Sequence, residues 1–141
     1  MKGEEFLKLG ELLLNQRDAC NCRAAIGRAY YGVLNATAQL MRSSGLDLPK
    51  RNEIHQKLWQ DLLNCGIPEL RLPGSQLSEL HGMRIQADYE MDNDDPEDFE
   101  TARLWVNEAR THLSAIQQAF GGKDRQKVVA AIRGYRKTVG R

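Results

Sequence analysis

The amino-acid sequence predicts an all-α fold: an up-and-down helical bundle of four to five core helices, with a short basic helix at the C-terminus. Three observations point there. Apolar residues recur at intervals of three and four along most of the chain, as one buried helix face requires. No segment shows the period-two alternation of a half-buried strand. Glycine, proline and capping residues separate the periodic runs.

In chain order, residues 4–15 read as the first helix, with Phe6, Leu9 and Leu13 on one face and Leu7, Leu12 and Leu14 broadening it. Asp18 is the expected N-cap of a second helix over 19–42. There Ile26, Tyr30, Val33, Thr37 and Leu40 form a core seam. Ala25, Ala29, Gly32 and Ala36 form a small-residue stripe that lets another helix approach closely. Arg28, Tyr31, Asn35, Gln39 and Arg42 form a third, polar stripe. Ser43-Ser44-Gly45 ends this helix. Asn52 is the expected cap of a short third helix, with Ile54, Leu58 and Leu62 as its buried line and Gly66 as its stop.

Pro68 and Pro73-Gly74 read as further breaks, so Ser75 caps a helix over Leu77 to Tyr89. Asp95-Pro96-Glu97-Asp98 reads as the next helix start, its acids facing the positive end of the helix dipole rather than a cation. That helix carries Phe99, Ala102, Val106, Ala109, Leu113, Ile116 and Phe120 as one seam through three heptads, up to Gly121-Gly122. The last segment reads as a short helix with Val128, Ile132, Tyr135 and Val139 facing one way and its bases the other. The chain therefore divides into a bundle over residues 1–122 and a basic extension over 123–141.

Composition narrows the function classes. A chain of 141 residues buries a core of its own as one domain. No apolar run is long enough to span a bilayer, so no membrane role is expected. The first sixteen residues mix acids with apolar residues and lack a signal-peptide pattern, and the three cysteines are an odd number. Both fit reduced thiols and a cytoplasmic location. The net charge of +1 hides an asymmetry: residues 121–141 hold seven Lys or Arg against one Asp. The main body thus offers no broad basic face; the tail reads first as a solvated extension, and functionally its Arg125, Lys127, Arg133, Arg136 and Lys137 are available to RNA, an acidic partner or a membrane surface. The sequence holds no glycine-rich phosphate loop, HExxH, CxxC pair or GxSxG, and no metal ligand set or cofactor motif is read from it. Cys20 and Cys22 point to different helix faces, and buried free thiols are expected for them and for Cys65.

One stretch concentrates polar chemistry. On a helix, His81, Arg84 and Asp88 fall along one stripe at the edge of the face that carries Leu77 and Leu80. Arg84 and Asp88, four apart, are first of all a salt-bridged seam. The stripe is therefore either a structural seam of that kind or a site. His55 reads as decoration at the start of the third helix, and His112 as an exposed residue just off the fifth helix's seam.

Two stretches resemble the HEPN (higher eukaryotes and prokaryotes nucleotide-binding) family. Arg28-Ala29-Tyr30-Tyr31, within Arg23 to Thr37, is similar to the family's second-helix signature. Arg84 followed by Ala87-Asp88-Tyr89, within Leu77 to Met91, is similar to its later arginine helix. The order of elements also fits, and the resemblance covers residues 4–120, leaving the tail outside. It implies a bundle that homodimerises, with the arginine helices meeting in a cleft that engages nucleotide or RNA. It further implies a toxin-like or regulatory component of a two-gene module with a nucleotidyltransferase-fold partner. In many members the cleft is a metal-independent endoribonuclease with an R-x4–6-H motif. Here the positions of that histidine hold Tyr89, Glu90 and Met91. The catalytic candidates are therefore Arg84 on the phosphate, Asp88 orienting it, Tyr89 at the cleft, and His81 from the other side of the arginine. The alternative is a catalytically inactive HEPN-type interaction or adaptor module, in which Arg84 and Asp88 are interface charges. A third reading places RNA contacts in the tail alone.

Overall fold

Helix α1 (Glu4–Leu13) lies against helix α2 (Ala19–Ser43) along the small-residue stripe. A Cβ on Gly32 would stand only 2.5 Å from the backbone nitrogen of Leu7, so glycine is what permits the contact. The buried line of α1 is consequently Leu7 and Gly10, continued by Leu14. Leu9 and Leu12, expected inside, are exposed, because the close approach to α2 selects the face that carries Gly10. Arg17 turns the chain in a left-handed conformation, and the Asp18 carboxylate accepts from the Asn21 amide at 2.9 Å, capping α2 as expected.

The computed structural model describes residues 1–141 as six α-helices and two short 3₁₀ turns, with no strand. Helices α3 (Ile54–Asn64), α4 (Pro68–Tyr89), α5 (Phe99–Gly121) and α6 (Arg125–Thr138) complete an all-helical bundle. α2 is its centre and packs on α1, α4 and α5. α3 and α4 pair through the short Cys65–Ile67 turn, where Gly66 takes the left-handed conformation. The predicted seam of α5 is buried from Ala102 to Phe120, with Phe99 packed at its edge.

The structure corrects four local expectations. Pro73-Gly74 does not break the chain, and Ser75 lies inside the continuous α4 rather than capping a later helix. Pro73 forfeits one backbone hydrogen bond. Both residues are buried, however, and a Cβ on Gly74 would meet the Leu63 nitrogen at 2.6 Å. Packing against α3 therefore carries the helix across the proline. Asn52 does not cap α3; Glu53 stands at that end, with its carboxylate 2.9 Å from Lys57 Nζ. The Asp95–Glu97 stretch is a 3₁₀ turn, and it is Asp98 that caps α5, accepting from the Thr101 amide at 2.9 Å. Cys20 is exposed, Cys65 half-buried, and only Cys22 is fully enclosed.

The tail differs most from its reading as a solvated extension. Val128, Val129 and Ile132 of α6 join the common core, and α6 packs on α3 and α5. Tyr135 is only half-buried and Val139 exposed. Its arginines turn inward. Asp61 of α3, 0% exposed, receives Arg136 and Arg141, each at 2.7 Å. Arg136 also donates to the Asp47 carbonyl, Arg133 to that of Gly45, and Arg125 to the Ser44 hydroxyl. A buried carboxylate flanked by two guanidiniums is a structural commitment, since removing it strands both cations. Asp61→Ala is expected to destabilise the fold by about 3 kcal/mol, measured as a lower urea midpoint. A midpoint within error of the wild type would show that α6 is not held through this pair.

Candidate functional site

The chemistry-bearing side chains converge where α2, α3 and α4 meet. α2 and α4 run antiparallel, so Tyr30 and Tyr31 face the turn of α4 that holds His81 and Arg84. Further along, Gly27 of α2 lies opposite Asp88, whose Oδ1 is 3.6 Å from where a Cβ would stand. Arg23 fixes the far end. Its guanidinium donates to the carbonyls of Gln86, Ala87 and Glu90 and pairs with Glu97 at 2.6 Å. That arrangement satisfies the open carbonyls of the α4 C-terminus and sets a positive charge against the negative end of its dipole.

Arg84 is the centre of the cluster. Its guanidinium carbon lies 5.1 Å from the Tyr31 ring centroid and 5.4 Å from that of Tyr89. These are cation–π distances. Its side chain is only 15% exposed, while Tyr89 is 69% exposed and forms the outer cover. Asp88 Oδ2 stands 2.8 Å from Arg84 Nε, so the expected i,i+4 pair is present in charge. The Nε–H does not point at that oxygen, however, and it is a buried donor without a hydrogen-bond acceptor. A buried donor without an aligned acceptor is costly.

Beside it sits a ring cluster of His55, His81 and Tyr30. The Tyr30 hydroxyl is 2.6 Å from His55 Nδ1. The two imidazoles stack at 5.2 Å, and the Tyr30 and His81 rings lie 5.1 Å apart. Burial raises the Tyr30 phenol far above its ordinary range, so it donates to Nδ1 and leaves the neutral His55 with its hydrogen on Nε2. Burial, then the Arg84 charge, pushes His55 below its usual value. Burial, then His55 and Arg84, does the same to His81. Both imidazoles are therefore neutral at neutral pH and able to accept a proton.

A hollow of about 480 Å³ opens beside this pair, walled by Lys57 and by Trp59, whose indole N–H is also buried without a partner. A larger hollow, about 700 Å³, lies elsewhere, between the start of α4 and the α5–α6 turn. It gathers Lys123 and Lys127 but no imidazole, thiol or aromatic ring, and the smaller hollow holds the chemistry.

The structure thus brings Arg84, Asp88 and Tyr89 together, with His81 joined to them through the tyrosine and histidine rings. The tail bases lie apart from this cluster. Arg125, Arg133 and Arg136 are engaged by the body of the protein, and Lys127 and Lys137 make no hydrogen bond or ion pair. Sequence reasoning missed His55 and Tyr30, assigned to decoration and to the core seam. The signal available was the meeting of the Tyr30-Tyr31 pair with a short helix that begins near a histidine. His112, expected exposed, is half-buried, and burial pushes its imidazole down as well. No helix is long and apolar enough to cross a membrane. Comparison with known proteins returns no matching family model, no matching curated protein and no matching solved structure.

All three histidines have folded-state values below the ordinary 6.5. Below that pH the unfolded chain binds protons that the folded chain refuses, so stability is complete above 6.5 and is lost as the pH falls toward the folded values. The urea midpoint is expected to hold steady above about pH 7 and to decline below about pH 6.5, less steeply in His81→Gln. Asp18, Asp98 and Glu53, whose carboxyls are held below their usual values, lose their contributions only in the more acidic carboxylate range. A midpoint that rises as the pH is lowered through 6.5 would contradict neutral burial of the imidazoles.

Proposed function

We propose that this chain is a HEPN-type bundle that binds the phosphate of a nucleotide or RNA through Arg84. One observation carries the reading: a guanidinium held between two tyrosine rings, its buried Nε–H without an acceptor. The two stretches that resemble the HEPN family lie more than fifty residues apart in sequence, and both contribute rings or charges to this one cluster.

In this reading a phosphate oxygen completes the Arg84 hydrogen bonding that Asp88 leaves unaligned. Asp88 holds the guanidinium by charge, and Tyr89 offers an outer face on which a base stacks. His81 replaces the histidine absent from positions 89–91 and serves as the base. It takes the proton of a ribose 2′-hydroxyl as the 2′-oxygen attacks phosphorus; the P–O5′ bond breaks, and the departing oxygen is protonated by water. Such cleavage needs no metal, and the product is a 2′,3′-cyclic phosphate. On the resemblance, a second copy of the chain completes the cleft; Ile85, Tyr89 and Met91 leave apolar side chains exposed toward the C-terminal end of α4 for such a contact. A nucleotidyltransferase-fold protein is the proposed partner of this toxin-like or regulatory component, on the resemblance alone. The same apolar surface favours the second reading, an inactive interaction module in which Arg84 and Asp88 are interface charges.

Labelled cellular RNA incubated with the purified protein in EDTA separates the two. Cleavage is expected from the wild type. Arg84→Ala is expected to lose RNA affinity about tenfold or more, as for a charged hydrogen bond, and to lose cleavage with it. Equal RNA affinity in the two folded proteins would sink the phosphate reading; binding without cleavage would remove the proton-transfer role of His81.

A further inference from the structure

Arg28 continues the geometry that Arg84 begins. Its guanidinium carbon lies 5.7 Å from the centroid of the same Tyr31 ring, on which Arg84 stacks at 5.1 Å, and 5.3 Å from the ring of Phe6 on α1. Tyr89, Arg84, Tyr31, Arg28 and Phe6 thus form one alternating series of rings and guanidiniums. The series crosses from the end of α4 over α2 to α1. Arg28 has no carboxylate within ion-pair distance, whereas Asp88 offsets the charge of Arg84. Arg28 is therefore the uncompensated cation of the series. It is also half-buried rather than free to range through solvent.

We propose that Arg28 is a second phosphate contact, and that the ligand of this face is a single-stranded polyribonucleotide engaged through at least two phosphates, not a mononucleotide. This rests on the phosphate reading of Arg84. A guanidinium held against a ring still has N–H donors for phosphate oxygens. Alternation of cations with aromatic faces matches a strand in which phosphates alternate with bases. An acidic peptide would meet the cations but has no planar groups for the Tyr89 and Phe6 rings at the ends of the series. The tail arginines Arg125, Arg133 and Arg136 do not supply this contact, because they are bound to the body, and α6 packs on α3 and α5 rather than on this face.

The test compares two probes, a fluorescein-labelled hexauridylate by anisotropy and 5′-UMP by calorimetry, on the full chain. Arg28→Gln keeps the side-chain stem over Phe6. It is expected to weaken hexauridylate binding about tenfold, to make its log–log salt dependence shallower by about 0.7, and to leave 5′-UMP affinity unchanged. Arg28→Lys, which keeps the charge, is expected to restore most of the salt dependence. Arg84→Ala is expected to weaken both probes. If Arg28→Gln binds hexauridylate like the wild type while Arg84→Ala does not, Arg28 only braces α1 against α2, and the two-phosphate inference falls while the Arg84 reading stands. If the wild type binds neither probe, both fall together. A hexa-aspartate peptide bound as tightly as hexauridylate would replace the strand with an acidic protein partner.

Discussion

The Arg23 guanidinium closes the C-terminal end of α4, and the geometry of the candidate site depends on it. One side chain of α2 donates to the carbonyls of Gln86, Ala87 and Glu90 and pairs with Glu97 in the turn before α5. It therefore fixes three elements at once: the register of α2 against α4, the point where α4 stops, and the approach of the chain to α5. Asp88 and Tyr89 lie in the last turn of α4, so their positions follow from that closure. With the register set, Gly27 leaves room for Asp88, and the Tyr30-Tyr31 pair meets His81 and Arg84.

A second constraint holds α6 onto the bundle. The buried Asp61 draws Arg136 and Arg141 onto α3, while apolar residues of α6 enter the core. The positive charge that dominates residues 121–141 is thereby partly committed to intramolecular contacts. α6 and α4 both pack on the short α3, which begins at Ile54, next to His55. The placement of His55 beside Tyr30 and His81 thus depends on a helix that carries both a buried carboxylate and a ring of the candidate site.

Much of this fold was legible in the sequence, because periodicity records burial directly. The seam from Ala102 to Phe120, the Ile26–Thr37 seam and the small-residue stripe of α2 all face as the spacing requires. What escaped was decided by tertiary contact. Pro73-Gly74 looks like a break in isolation, and α3 packed against it makes it a helix. The face of α1 follows Gly10, not the most regular leucines. Tail arginines look solvated until a buried aspartate is placed among them. In the candidate site, the Arg84–Asp88 pairing was legible as an i,i+4 spacing. The orphaned Nε–H, the Tyr31 and Tyr89 rings about it and the Tyr30–His55 hydrogen bond come from angles and from segments distant in sequence, which no local pattern encodes.

The centre of the functional proposal is a single donor, the Arg84 Nε–H. Its resonance in a ¹⁵N-edited arginine side-chain spectrum, assigned by comparison with Arg84→Ala, reports on that donor alone. Titration with 5′-UMP is expected to shift this resonance saturably as a phosphate oxygen becomes its acceptor. The Nε–H signals of Arg125 and Arg136, which already donate to the Ser44 hydroxyl and the Asp61 carboxylate, are expected to stay in place. A resonance for Arg84 that does not move at saturating nucleotide, or movement confined to the tail arginines, would contradict a phosphate site on the α2–α4 face.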